Sequence, residues 1–162
     1  MSVFPHTTKL LTLEEAVDRA SDCRRQGRSV VFTNGCFDIL HLGHARYLQE
    51  ARALGDCLVL GLNTDSSVKS LKGPQRPINS QEDRAELLLH LRWVDYVVLF
   101  HEETPLELIQ AISPEVLVKG GDWAVEDIVG SDFVLKNGGE VRSLQLVPGK
   151  SSTNIIEKAQ LK

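Results

Sequence analysis

Strand-length apolar runs alternate with helical segments along the whole chain, and the runs lack period-two polarity. Val30-Val31-Phe32-Thr33, Cys57-Leu58-Val59-Leu60-Gly61-Leu62 and Val116-Leu117-Val118 are the clearest of them. Strands buried on both faces read this way, so the pattern predicts a doubly wound α/β fold with helices on both faces of about five parallel strands. A capping box at Thr12-Leu13-Glu14-Glu15 and a stop at Gly27 predict a first helix over 12–26. Further helices are expected from about Gly43 to Leu54, from Ser80 to about Leu91, from Thr104-Pro105 through Ala111, and over Ser151–Lys162. Strands are expected at 29–33, 57–62, 95–100, 116–118 and 140–147. Residues 69–80, rich in Lys, Gly, Pro and Arg, read as a loop, and Asn137-Gly138-Gly139 as a turn.

At 162 residues, with 42% apolar and 25% charged side chains, the chain can bury one core but hardly two. It reads as a single domain over 1–162, with a helical segment over 1–28 packed on it and no internal repeat or linker. A net charge of −4 argues against nucleic acid or anionic membrane as partners, so any anionic ligand must be held by a local cluster. Met1-Ser2-Val3-Phe4-Pro5-His6 lacks the blocks of a signal peptide, and no apolar run has membrane-spanning length. Cys23, Cys36 and Cys57 are scattered and odd in number, which fits reduced thiols in a cytoplasmic protein.

Ligands of such sheets bind outside the carboxyl ends of the strands. Four motif-like segments follow strands directly and should meet on that rim: His41–His44, Asn63–Asp65, Lys119–Asp122 and Ser151–Thr153. In the first, Thr33-Asn34-Gly35-Cys36-Phe37-Asp38 ends a strand, and His41-Leu42-Gly43-His44 opens a helix. Residues three apart share a helix face, so both rings can address one ligand. Backbone N–H groups at the helix start add a second anion-binding element. Gly43 leaves room for phosphate. Asp38 reads as a helix cap or as a brace for the turn, Phe37 as packing beside a nucleotide, and Cys36 as a small apolar residue. Lys69, Lys72 and Arg76 form the densest positive stretch of an acidic chain, either solvated or set to hold a phosphate. Asn63 and Asp65 read as a helix-capping turn or as substrate contacts. Ser151, Ser152 and Thr153 cap the last helix or bind phosphate there, with Lys150 adding charge.

The run Gly35-Cys36-Phe37-Asp38-Ile39-Leu40-His41-Leu42-Gly43-His44 resembles the GxFDxxHxGH signature of the cytidylyltransferase-like nucleotidyltransferases, small Rossmann-like enzymes. These join a nucleoside triphosphate to a phosphorylated alcohol or sugar and release pyrophosphate. Leu71-Lys72-Gly73, Arg76-Pro77, Val118-Lys119-Gly120-Gly121-Asp122, Asn137-Gly138-Gly139-Glu140 and Ser152-Thr153-Asn154-Ile155-Ile156 resemble one branch, the heptose 1-phosphate adenylyltransferases. The resemblance implies ATP as co-substrate with Mg²⁺ carried on its triphosphate, and a sugar phosphate as acceptor. It further implies ADP-heptose for lipopolysaccharide core, a homodimer, and a separate heptose kinase upstream; a stand-alone transferase and a domain of a longer chain both fit.

In catalytic roles the resemblance places His41, His44 and Lys72. Thr33, Asn34, Gly35, Phe37, Asp38, Gly43, Lys119, Gly120, Asp122, Ser151, Ser152 and Thr153 fall by the nucleotide, with Asp122 near ribose or base. Asn63, Asp65, Arg76 and Arg84 fall by the acceptor, although a surface ion pair explains Arg84 equally well. No metal ligands are indicated. Alternatives with the same chemistry are a cytidylyltransferase for glycerol-3-phosphate or ethanolamine phosphate and an FAD synthetase-like enzyme. An alternative of another class is a non-catalytic nucleotide-binding regulatory module.

Overall fold

The computed structural model describes residues 8–160, so the expectations for Met1–His6 and for the end of the closing helix lie outside it. Six parallel strands form one sheet: β1 (Leu10–Leu11), β2 (Val30–Gly35), β3 (Cys57–Asn63), β4 (Tyr96–Phe100), β5 (Val116–Gly120) and β6 (Glu140–Leu144), in the order β1-β4-β3-β2-β5-β6. The helices are α1 (Leu13–Arg25), α2 (Leu42–Arg52), α3 (Asp65–Lys72), α4 (Gln81–Leu89), α5 (Leu106–Ile112), α6 (Ser131–Lys136) and α7 (Ser152–Gln160).

The apolar runs are buried on both faces, as their lack of alternation predicts. Along β2, Val30 and Phe32 join a cluster with Ala16, Ala20, Ile109, Ile112 and Val134 from α1, α5 and α6. Val31, together with Leu58, Leu60 and Leu62 of β3, packs on the opposite face against Leu48 and Ala51 of α2 and Ala85 and Leu88 of α4.

Chain order reverses between β2 and β5, the switch point where a crevice opens in such sheets. β2 pairs with β3 over six positions, Val30↔Cys57 to Gly35↔Leu62. With β5 it pairs only at Val31↔Val116 and Phe32↔Leu117. From Thr33 onward β2 and β5 diverge, and the cleft sits above that divergence.

Several boundaries differ from expectation. β1 was not foreseen; two residues, aligned to Val97 and Val98, are too short to leave an apolar run. Residues 69–72 finish α3 and are not loop: Thr64 caps its start through Ser67 N, and Lys69 and Lys72 occupy its last turn, where cations complement the helix dipole. Pro105, not Thr104, is the N-cap of α5, and no side chain caps that helix. β6 ends at Leu144, three residues early. The capping box on α1 and the caps by Ser80 and Gly27's turn form as read.

Candidate active site

A cleft of about 590 Å³ opens over the carboxyl ends of the central strands. Asn34, Gly35, Phe37, Asp38, His41, Gly43, His44, Asn63, Lys72, Arg76, Lys119, Gly120, Ser151, Ser152 and Thr153 all line it. The four loop segments expected to meet therefore do meet.

The β2–α2 turn is built around its histidines. Phe37 sits at φ 44°, a left-handed conformation that a bulky residue adopts only when packing dictates it. Its ring lies 5.0 Å from that of His44 and fills the space a Cβ on Gly35 would need, 2.8 Å away. His41 is the N-cap of α2, its Nδ1 accepting from the His44 backbone N–H at 3.4 Å. That fixes Nε2 as the ring's donor in the neutral form. The two imidazoles stack with centroids 3.8 Å apart. A Cβ on Gly43 would come within 2.9 Å of the His41 ring, so glycine is what allows the ring to fold back over the helix start. Burial, reinforced by the neighbouring His41, pushes the His44 pKa down to about 4. Burial also lowers that of His41, with Lys150 adding to it. Both rings are then neutral donors at pH 7 in the free protein.

A second helix start adjoins the first. Ser151 Oγ accepts from Asn154 N at 3.0 Å, capping α7, while Ser152 Oγ donates to the Ile39 carbonyl at 3.0 Å. Lys150 Cβ lies 3.3 Å from the position a Cβ on Gly43 would take. Two sets of unpaired N–H groups thus border one space, a natural seat for a polyanion.

On the opposite side Lys72 and Arg76 face the cleft. Asp38 is buried and its carboxylate accepts from Arg76 Nε at 2.5 Å, Ile78 N at 2.8 Å and Asn79 N at 3.0 Å. Asp38 braces the Arg76–Asn79 loop rather than capping α2, whose cap is His41. Lys119 reaches the cleft from the end of β5; burial, with Lys72 nearby, depresses its pKa below that of an ordinary lysine. The Cys36 thiol, raised by burial against the pull of Lys72, lies 3.8 Å from Asn63 Oδ1. Asn63 itself is buried and spends one amide N–H on Ser67 Oγ.

Four expected contact residues are not brought to the cleft wall. Thr33 is fully buried beneath it, its hydroxyl 2.5 Å from that of Tyr47. Arg84 is also fully buried, donating to Cys36 O at 2.7 Å, Asn63 O at 2.8 Å, Asn79 O at 3.1 Å and Asp65 Oδ1 at 2.8 Å. Neither a surface ion pair nor a ligand contact describes it, because four of its five N–H groups are already committed inside the protein. Asp65 is its partner and does not line the cleft. Asp122 is exposed and does not line the cleft, while the next residue, Trp123, folds back through Nε1 to Gly120 O at 3.2 Å.

Trp123 borders a recess of about 130 Å³ that continues the cleft past Asn34 and Lys119. It was missed in the sequence, as were Tyr47, Phe100, Glu103, Thr104, Pro105, Val129 and Leu146, all of which line the main cleft. For Phe100 to Pro105 a signal existed, since this segment too follows a strand directly. Tyr47 also donates to Val118 O at 3.4 Å, bridging β2 and β5 where they part. No group of three or more His, Cys, Asp or Glu among the described residues could hold a metal ion. No described helix is long and apolar enough to cross a membrane.

Comparison with known proteins agrees with this geometry. A bifunctional protein HldE of Syntrophotalea carbinolica is 58% identical over 135 residues, covering 83% of this chain and 28% of its own length. That of Wolinella succinogenes is 54% identical over 152 residues, covering 94% of this chain and 31% of its own. The chain thus spans under a third of the curated relatives it matches. Among solved structures, a lipopolysaccharide core biosynthesis protein from Thermoplasma volcanium superposes with a TM-score of 0.60 at 31% identity. That match covers 75% of this chain and 98% of the other. The cytidylyltransferase-like family matches residues 32–158, from the buried strand before the paired histidines to the last helix, and the chain belongs to that family.

Proposed function

We propose that this chain transfers the adenylyl group of ATP to D-glycero-β-D-manno-heptose 1-phosphate, giving ADP-heptose for lipopolysaccharide core and releasing pyrophosphate. The observation that carries the reading is the convergence of His41, His44, Lys72, Arg76, Lys119 and the α7 start on one cleft. It occurs in a chain 54–58% identical to relatives named bifunctional HldE.

The reaction is an in-line displacement. An oxygen of the sugar phosphate forms a bond to the α-phosphorus of ATP while the bond to the β-phosphate oxygen breaks, and the electron pair leaves with pyrophosphate. No general base is needed, because the acceptor is already ionised near neutral pH. The triphosphate is assigned to the space between the starts of α2 and α7, with Lys150, Ser151 and Thr153 on its β- and γ-phosphates. His41 and His44 donate neutral N–H groups to the α- and β-phosphate oxygens, and these bonds strengthen as charge builds. Lys72 and Arg76 hold the acceptor phosphate against the repulsion of the triphosphate. The base is assigned to the recess beside Trp123. Mg²⁺ fits as an ion brought on triphosphate oxygens and waters, since the one buried carboxylate lining the cleft, Asp38, already accepts from three N–H donors. When bound it supplies charge neutralisation across the phosphates. A homodimer, a heptose kinase upstream and a cytoplasmic location accompany this reading.

Pyrophosphate release with Mg²⁺, heptose 1-phosphate and each of ATP, CTP, GTP and UTP tests it. Activity with ATP that falls about 10²–10³-fold in His41→Ala supports it. Release with CTP, or only with glycerol-3-phosphate, overturns the acceptor or base assignment.

A further inference from the structure

The cleft has a flank that phosphate chemistry does not use. Its wall between Asn63 and Pro105 carries a carboxylate, Glu103, and a hydroxyl, Thr104, both exposed into the cleft. Glu103 makes no ion pair or hydrogen bond among the described residues, unlike its neighbour Glu102, whose carboxylate accepts from the His101 backbone N–H at 3.0 Å. A bare carboxylate beside a cavity meant for two polyanions raises the cost of filling that cavity unless it contacts something other than phosphate. Hydroxyl groups are what it can serve: an ionised carboxylate only accepts, and vicinal hydroxyls offer two donors to its two oxygens.

Topology supplies the second constraint. The strand order puts the loops after β3 and β4 on the side of β2 away from β5, and Pro105, next to Thr104, also borders the recess. In-line displacement sets the attacking oxygen opposite the leaving group. With the base assigned to the recess, the main cleft floored by buried Phe100 is left for the remaining atoms of an acceptor whose phosphate rests on Lys72 and Arg76.

We infer that Glu103 and Thr104, on the loop after β4, form a hydroxyl-reading subsite that selects a polyhydroxylated acceptor phosphate over an alkyl or amino-alkyl one. Glu103 accepts from adjacent hydroxyls of the acceptor, and Thr104 adds one donor and one acceptor beside it. This rests on the nucleotidyltransferase reading above and names which part of the site distinguishes its acceptor.

The test is calorimetric and needs no turnover. Heptose 1-phosphate and ethyl phosphate are titrated into the protein saturated with a non-hydrolysable ATP analogue and Mg²⁺, for wild type, Glu103→Ala, Glu103→Gln and Thr104→Val. The expected result is a loss of about tenfold or more in heptose 1-phosphate affinity for Glu103→Ala. Glu103→Gln should fall in between, with ethyl phosphate and the ATP analogue unchanged. A glutamate serving only the start of α5 would lower Tm without altering the ratio of the two phosphates, and that result overturns the inference. Equal affinities in wild type and Glu103→Ala, whether strong or absent, overturn it too. Failure of the adenylyltransferase reading shows separately, as wild type that binds the sugar phosphate selectively yet releases no pyrophosphate.

Discussion

The two flanks of the cleft are held in opposite ways. On the β3 side, Arg84 and Asp38 sit inside the protein and between them take seven hydrogen bonds from or to the cleft loops. On the α7 side the helix buries none of its residues, and one side-chain bond, Ser152 to Ile39, ties its start to the histidine turn. Buried charge that is fully bonded fixes geometry and is costly to disturb, whereas an exposed helix held by a single hydroxyl moves at little cost. In the proposed reaction the β3 flank, assigned to the acceptor, is thus preorganised, while the α7 flank, assigned to the triphosphate, is completed by the ligand itself.

Removing the guanidinium should break the contrast most severely. Arg84→Met leaves the carbonyls of Cys36, Asn63 and Asn79 and the Asp65 carboxylate without their donor. We expect a loss of about 3–5 kcal/mol in unfolding free energy, read by urea denaturation, because buried acceptors are left unpaired. Arg84→Lys should recover only part of this, since one ammonium cannot reach four acceptors arranged around a planar fork.

Ser152→Ala sharpens the comparison from the other side. Stability should change by no more than about 1 kcal/mol, while the KM for ATP rises several-fold and that for the sugar phosphate stays put. A large fall in Tm would show that α7 is structural after all.

Protonation offers the mildest probe. His44 has a folded pKa of about 4, below its ordinary 6.5, so the unfolded chain binds the extra proton between those values. Its contribution to stability is present above pH 6.5 and drains away as pH falls towards 4. Phosphate beside the ring favours the charged form, so nucleotide binding at pH 5.5–6 should take up a fraction of a proton. Calorimetry in buffers of different ionisation heat reads that fraction, and His44→Asn should lower it, leaving the share taken up by His41 beside the same phosphates.

How much of this was legible before folding depends on the kind of signal. The paired histidines, the alternation of runs and the α1 capping box are local patterns, and all three appear where read. Arg84 could be recognised as a charge but not as a buried one, because burial is set by α4 packing across Cys36 and Asn63, distant in sequence. Residues 69–72 read as loop since Gly73, Pro74 and Pro77 dominate their composition, although Lys69 and Lys72 suit a helix end. β1 exists only through its pairing with Val97 and Val98. Glu103 followed the same rule as the other rim loops, yet nothing in its own neighbourhood resembles a motif.

The parting of β2 from β5 after Phe32 bears on how such a protein could change over time. A flat ring seated in that gap would meet main-chain N–H and C=O groups that the neighbouring strand leaves open, with the Tyr47 hydroxyl reaching across to Val118. Side-chain replacement cannot rewrite a pattern of donors and acceptors that belongs to the backbone. Base preference would then be inherited with strand geometry, and mutagenised libraries would yield inactive variants long before one that had exchanged its nucleotide.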